Sequence, residues 1–426
     1  KIYYYKNNLM KGGGNILIQR KEFLKELIKW KNEKVIKVIT GMRRSGKSTL
    51  LMQYQDYLRQ SGVEENRILS INFEELEYEE LCDYRKLYNY IKDKLIDGKT
   101  TYIFLDEIQK VKDFEKVIDS IYVKSGTDIY ITGSNAYFLS GNLATYLTGR
   151  YVEILVLPFS FKEYKEVVNK DNEGAFSEYM KYGGLPFLTL MEKDIDKAYT
   201  YLEGIYNTVI VKDIEDRINL QITDNDKRKI YDISLLKLIA KYLASVVGSP
   251  VSVRGITNYI VSSGRKVSQN TVSDYVEALK EAFIFYEVSR FDIVGKQILS
   301  SNKKYYIVDL GLRNYILPRK SYDLGFSIEN IVYFELLRRG YNVNIGKQDK
   351  EEVDFIAAKN GIITYIQVTA DMTSKETFER EIRPLNMIKD NYEKIILTLD
   401  KLTLGNYSGI QVKNLIEWLL EDSIKY

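Results

Sequence analysis

The sequence predicts an α/β protein: a core built on a parallel five-stranded sheet with a helical lid, then three helices with a hairpin, and a small closing α/β domain. Three observations lead there. Between residues 16 and 157, short β-branched runs alternate with helical patterns. One strand-to-helix junction carries the complete pattern GxxxxGK[ST], as Gly41-Met42-Arg43-Arg44-Ser45-Gly46-Lys47-Ser48. After Pro158 the spacing turns helical, and β patterning returns only near Phe283.

The core, residues 16–160, has strand runs at 35–40, 68–73, 102–105, 128–132 and 152–157. Runs this short and this apolar, separated by amphipathic stretches, fit a parallel sheet covered by helices on both faces. Residues 161–224 read as the helical lid, ending in the polar linker Thr223-Asp224-Asn225-Asp226. Residues 225–320 read as a winged helix. Leu235, Leu236, Ile239, Leu243 and Val246 mark a first helix at helical spacing. Ser252 opens the second, which Gly264 ends, and Ser268-Gln269-Asn270 caps the third. Strands at 283–290 and 304–309 follow. Residues 321–426 hold a helix, strands and a last helix ending at Trp418-Leu419-Leu420. Residues 1–15, with Tyr3-Tyr4-Tyr5 and Gly12-Gly13-Gly14, read as a flexible arm or added residues.

Composition narrows the chemistry. The apolar fraction of 45% and charged fraction of 28% are those of a globular protein. No apolar run approaches the ~18 residues that span a bilayer. The start lacks an apolar segment followed by a small-residue cleavage site, so no signal peptide and no membrane partner are expected. The single cysteine, Cys82, excludes disulfide frameworks and thiolate zinc sites, and the cytoplasm is the expected compartment. The chain has no histidine. That removes Ser-His-Asp and Cys-His nucleophile systems, histidine bases and histidine metal ligands together. Hydrolysis must then rely on carboxylates, lysine, arginine or a metal held by oxygen. A net charge of +3 decides nothing about nucleic acid, and the 36 tyrosines make aromatic–basic interleaving uninformative.

The phosphate loop has the context its physics requires, because a strand precedes it and an amphipathic helix follows. Backbone N–H groups from Gly41, Arg44, Ser45, Gly46, Lys47, Ser48 and Thr49 can face phosphate oxygens at the helix N-terminus. Lys47 reaches the β/γ oxygens, and Ser48 offers its hydroxyl to Mg²⁺. The strand ending Leu105-Asp106-Glu107 places Asp106 by the metal and Glu107 by the attacking water. Thr132-Gly133-Ser134-Asn135 closes the next strand, where Asn135 or Ser134 can bond that water or the γ-phosphate. Arg150 can stabilise transition-state charge, in its own site or across a subunit interface. ATP and Mg²⁺ are therefore the expected cofactors.

These motifs resemble AAA-superfamily ATPases of the bacterial and archaeal AAA_14 plus DUF4143 type. The likeness rests on Gly41–Ser48, Leu105-Asp106-Glu107-Ile108-Gln109, Thr132-Gly133-Ser134 and Leu147-Thr148-Gly149-Arg150. Further along it rests on Leu157-Pro158-Phe159-Ser160-Phe161, Tyr182-Gly183-Gly184-Leu185-Pro186 and Lys212-Asp213-Ile214. The resemblance implies that Asn135 is the sensor following the fourth strand. It also implies that Gly184 and Pro186 approach the nucleotide from the lid. The last domain resembles the PD-(D/E)xK, restriction-endonuclease-like fold, with Glu329, Asp354, Gln367 and Thr369 in the motif positions. Glutamine for the second acid and threonine for the lysine imply an inactive relative, with Lys347, Lys350 and Lys359 the nearest lysines in sequence.

The span 253–320 holds eleven basic residues against six acidic ones, an excess of +5 over +3 for the whole chain. That suits duplex DNA as a partner, with Ser268, Gln269 and Asn270 near base edges, and equally suits a protein partner or a homo-oligomer. The expected function is ATP hydrolysis driving a switch on nucleic acid or protein. The alternatives are an ATP-regulated nuclease and a slow nucleotide-sensing regulator of defence or toxin type.

Overall fold

The computed structural model describes residues 18–134, 147, 149–209, 214, 232–317 and 323–422. The core sheet has the strands β1 Ile36–Thr40, β2 Ile68–Asn72, β3 Thr101–Asp106, β4 Thr127–Thr132 and β5 Tyr151–Leu155. Their order is β2-β3-β4-β1-β5, and every neighbouring pair is parallel. All five lie within two residues of the runs read from the sequence. β1 and β3 are buried along their whole length, which is why they read as unbroken apolar runs.

Helices Lys21–Lys29 and Lys47–Gln60 cover one face, where Leu27, Leu50, Leu51, Tyr54 and Leu58 meet Ile39, Phe104 and Tyr130. Helices Tyr84–Lys94 and Phe114–Tyr122 cover the other, through Leu87, Ile91, Val117 and Ile121 against Val38, Ile103 and Ile131. Each such side chain contributes roughly 1.5–3 kcal/mol by leaving water. Because β4 lies between β1 and β3, the loops leaving all three strands open at the same edge. In open parallel sheets that carboxyl edge is where ligands bind.

Four helices follow as the lid: Phe161–Val167, Asn172–Tyr182, Pro186–Leu190 and Ile195–Asn207. The first opens with a capping box in which the Ser160 and Glu163 side chains each accept from the other's backbone N–H. Three helices come next, Ile233–Ser245, Val253–Ser262 and Gln269–Glu281, capped by Asp232, Ser252 and Ser268. A hairpin of β6 Phe285–Asp292 and β7 Gln297–Ile307 leads into helices Leu310–Ile316 and Leu324–Arg338. The last unit contains β8 Asn342–Gln348, β9 Glu351–Lys359, β10 Ile362–Thr369, helix Lys375–Met387, β11 Glu393–Thr398, β12 Gly405–Tyr407, β13 Ile410–Asn414 and helix Leu415–Leu420.

The second sheet has eight strands in the order β12-β13-β11-β10-β9-β8-β6-β7. It runs through the division expected near residue 320, because β6 pairs in parallel with β8, Arg290 opposite Ile345. One apolar core likewise joins lid residues such as Phe176 and Leu202 to Leu236, Leu279, Phe334 and Leu419. Among the described residues, no helix is long and apolar enough to cross a membrane.

Candidate nucleotide site

The phosphate loop leaves β1 through Gly41, whose φ is 134° and where a Cβ would lie 2.2 Å from Val156 O. Only glycine fits that approach. Gly46, at φ 97°, caps the 14-residue helix Lys47–Gln60 and aims its free N–H groups into the loop. Arg44 adopts the left-handed region at φ 69° and is exposed. The Lys47 ammonium is buried and donates to Gly41 O at 2.9 Å and Met42 O at 3.1 Å, so its charge sits inside the loop. Thr49 is half-buried in the first helical turn. Ser45 Oγ is buried and has no hydrogen-bond partner among the described residues.

The second part arrives from β3 and β4. Thr132 Oγ1, at the end of β4, donates to Asp106 Oδ1 at 2.5 Å and accepts from Glu107 N at 2.8 Å. Glu107 takes a left-handed backbone, φ 55°, which costs a non-glycine residue roughly 1–3 kcal/mol. That turn sends its carboxylate to Ser134, whose Oγ donates at 2.7 Å, and to the Gln109 amide. The Ser48 hydroxyl lies beside the Asp106 carboxylate and favours its charged form.

The two acids are driven apart. Burial pushes the Asp106 carboxyl up, the charge of Glu107 adds to the rise, and hydrogen bonds from Ser48 and Thr132 oppose it. Burial also acts on Glu107, but the Lys47 charge, bonds from Ser134 and Gln109, and the Arg43 charge outweigh it. Its carboxyl lies below the ordinary glutamate range. Glu107 is therefore a fixed, ionised acceptor beside a buried ammonium. This donor set fits a magnesium nucleotide: orphaned Ser45 Oγ faces the loop, and Ser48 with Asp106 supplies hard oxygen ligands.

The lid turn reaches the loop from outside. Pro186 begins its helix with Cγ 3.7 Å from where a Gly46 Cβ would be, and Gly184 O accepts from Phe159 N at 2.7 Å. Sequence reasoning missed Arg20. Its guanidinium is buried and donates to Ser45 O at 3.0 Å, Leu157 O at 2.8 Å and Glu163 Oε1 at 2.7 Å. It braces the phosphate loop against the lid. The sequence carries no local signal for it, since these partners lie 25, 137 and 143 residues away.

Arg150 is elsewhere in its own chain. Its backbone O accepts from Ile36 N, so it stands at the start of β1, about 13 Å of strand from the loop leaving Thr40. Its guanidinium bonds Asp119 and lies 5.6 Å from the Tyr122 ring centroid. Completion of its own site, one of the two roles expected, is corrected by that position. Asn135 lies outside the described residues, as do Thr148, Lys212, Asp213, Arg319, Lys320 and residues 1–15.

Among the described residues, several basic side chains of the three-helix region are paired. Lys303 Nζ meets Glu287 at 2.5 Å, Arg265 bonds Asp232, and buried Arg313 donates to Ala244 O at 3.0 Å. Lys304 is buried, with Nζ 3.0 Å from Glu329 and 2.7 Å from Glu352. Burial lowers its pKa, but the charges of Glu329, Asp354 and Glu352 prevail, and the net shift is upward. The lysine that enters the C-terminal carboxylate cluster is thus Lys304 from β7. Lys359, one of the three nearest in sequence, instead donates to Arg339 O at 2.6 Å. Asp354 Oδ2 accepts from Val368 N at 2.8 Å, and Gln367 Nε2 donates to Glu381 at 3.0 Å. Gln269 and Asn270 are exposed at their helix start.

Residues 33–165 match the AAA_14 family, an AAA domain. Residues 173–323 match DUF8612, a domain of unknown function, in place of the DUF4143 named in the expected resemblance. An uncharacterized protein of Haemophilus influenzae is 40% identical over 411 residues, covering 95% of this chain and 99% of its own. An uncharacterized protein of Methanocaldococcus jannaschii is 29% identical over 394 residues, covering 85% and 82%. A solved Walker-type ATPase of Pyrococcus abyssi aligns over 71% of this chain and 96% of its own, at 16% identity and TM-score 0.45.

Proposed function

The chain belongs to the family of AAA-domain proteins that includes its Haemophilus influenzae relative, and from that premise we propose that it binds and hydrolyses ATP with Mg²⁺ to drive a switch. The switch acts on nucleic acid or a protein partner through the C-terminal half. The observation that carries the reading is the convergence of Lys47, Asp106 and Glu107, with Thr132 and Ser134 fixing both carboxylates. Ser48 and Asp106 would hold the metal, which neutralises charge on the phosphate oxygens. Lys47 binds the β/γ-phosphates, and Glu107, already ionised and oriented, takes the hydrogen bond of the attacking water. Asn135 is the second water or phosphate contact in this reading. Arg150 serves a neighbouring subunit of a homo-oligomer, since its own site is at the other end of the strand.

The run of helix Leu324–Arg338, three antiparallel strands, helix Lys375–Met387 and parallel β11 supports the restriction-endonuclease-like reading of the last unit. We read it as a binding module without cleavage, because the Lys304 ammonium is already taken up in ion pairs with Glu329 and Glu352. The three-helix module is the proposed winged helix, and the cytoplasm the proposed compartment. Steady-state ATP turnover with and without duplex DNA tests the proposal. Absence of turnover in the wild-type protein under both conditions sinks the hydrolysis reading, and turnover indifferent to DNA directs the switch to a protein partner.

A further inference from the structure

Asp309 stands where β7 gives way to helix Leu310–Ile316, and it is buried. Its Oδ1 caps that helix, accepting from Leu312 N at 3.0 Å. Its Oδ2 accepts from Gly184 N at 2.7 Å, across 125 residues of sequence. The Gly311 and Leu185 amides lie near the same carboxylate and favour its charged form. A surface cap would need one or two such bonds. Here a single buried carboxylate gathers donors from its own helix and from the lid turn that approaches the phosphate loop.

Three glycines make the contact possible. At Gly183, φ 76°, a Cβ would lie 2.2 Å from Asp309 Oδ1. At Gly184 it would lie 2.3 Å from Phe159 O, and at Gly311 2.1 Å from Tyr182 O. The docking is reinforced by Asn314, whose amide donates to Met180 O and Lys181 O, both at 3.0 Å. On its far side the turn borders the phosphate loop, with Pro186 Cγ 3.7 Å from where a Gly46 Cβ would be.

We propose that Asp309 is a positioning residue that couples nucleotide at the phosphate loop to the C-terminal half, by holding the turn 183–186 between helix Leu310–Ile316 and Gly46. Any ligand-driven shift of the loop presses on Pro186, and the turn cannot follow without moving the helix that Asp309 caps. This inference rests on the ATP reading, and its test separates the two.

The chain has two tryptophans, Trp30 and Trp418. Trp418 is buried in the C-terminal helix against Arg339, whose guanidinium carbon lies 4.1 Å from the ring centroid. Trp30→Phe leaves Trp418 as the reporter of the C-terminal half. Calorimetric titration of this parent with ATP and Mg²⁺ reads binding, and Trp418 emission reads the response. The expected result is saturable binding with an emission shift in the parent, and loss of most of that shift in the Asp309→Asn version at saturating ATP. An undiminished shift in Asp309→Asn, or binding without any shift in the parent, overturns the coupling. No calorimetric binding in the parent defeats the ATP reading and the coupling with it. If Asp309→Asn fails to fold, Pro186→Ala keeps the Asp309 bonds and removes the ring that borders Gly46. A full shift in that variant overturns the proposal, and a reduced one supports it.

Discussion

Lys304 on β7 and Glu329 on helix Leu324–Arg338 form a buried ion pair, 3.0 Å apart, and Tyr306 donates to the same Glu329 oxygen at 2.6 Å. The pair ties the hairpin to the long helix. Lys304→Met should destabilise the protein by about 3–5 kcal/mol, because the buried Glu329 carboxyl, whose pKa burial already raises, is left without its cationic partner. Adding Glu329→Gln should restore part of the loss. Urea unfolding of the single and double variants measures both, and a double variant less stable than the single contradicts the account. Charge reversal at Lys304 also cannot report on DNA contact, since the residue is inside.

Lys47→Ala should weaken ATP binding by about 10- to 100-fold, the scale of lost charge-assisted hydrogen bonds. Calorimetry with ATP and Mg²⁺ checks this. Wild-type affinity in the variant would remove the phosphate-loop assignment.

Glu107→Gln should bind ATP as the parent does and turn it over roughly 10²-fold or more slowly, the scale of a lost general base. The direction of its pKa shift fixes the acid limb of the wild-type rate. A depressed carboxyl is ionised above its folded value, so turnover should stay level as pH falls through the usual glutamate range. It should drop only below that range. A rate–pH profile with its acid limb above the ordinary glutamate value would contradict this assignment.

Burial pushes the Asp309 carboxyl from 3.8 up to about 6, against the hydrogen bonds it accepts from Gly184 and Leu312 and the pull of the nearby Gly311 and Leu185 amides. Arg338 and Tyr179 line the same small cavity. The folded state therefore favours the protonated form more than the unfolded chain does. The associated stability is fully present below about 3.8 and is lost as pH rises through about 6, a change of about 3 kcal/mol. Relative to Asp309→Asn, the wild-type protein should lose that amount between pH 4 and 7 in urea unfolding. Parallel curves for the two proteins would show that Asp309 does not titrate in this range.

The five core strands were legible because parallel strands covered on both faces read as apolar runs, and the phosphate loop because its spacing is local in sequence. Ser252 and Ser268 were legible as caps for the same reason: each bonds an amide three residues on, Gly255 N and Thr271 N. Arg20, Lys304 and Asp309 were not legible. Each matters through partners more than twenty residues away: Ser45 and Leu157 for Arg20, Glu329 for Lys304, Gly184 for Asp309. Lys304 counts among the eleven basic residues of 253–320, and composition counts a lysine without showing where the ammonium ends. Arg150 sits at the wrong end of β1 for its own site, which strand polarity reveals and a motif does not.

The pairing of β6 with β8 has a mechanical consequence. Arg290, Phe291 and Asp292 are in register with Ile345, Gly346 and Lys347, so main-chain bonds weld the hairpin to the closing unit. The three helices that precede the hairpin cannot pivot on a flexible tether. They must carry the whole second sheet with them, as one lever arm. Slow amide exchange should then open β6, β8 and β9 together, at one common free energy, as a single cooperative block.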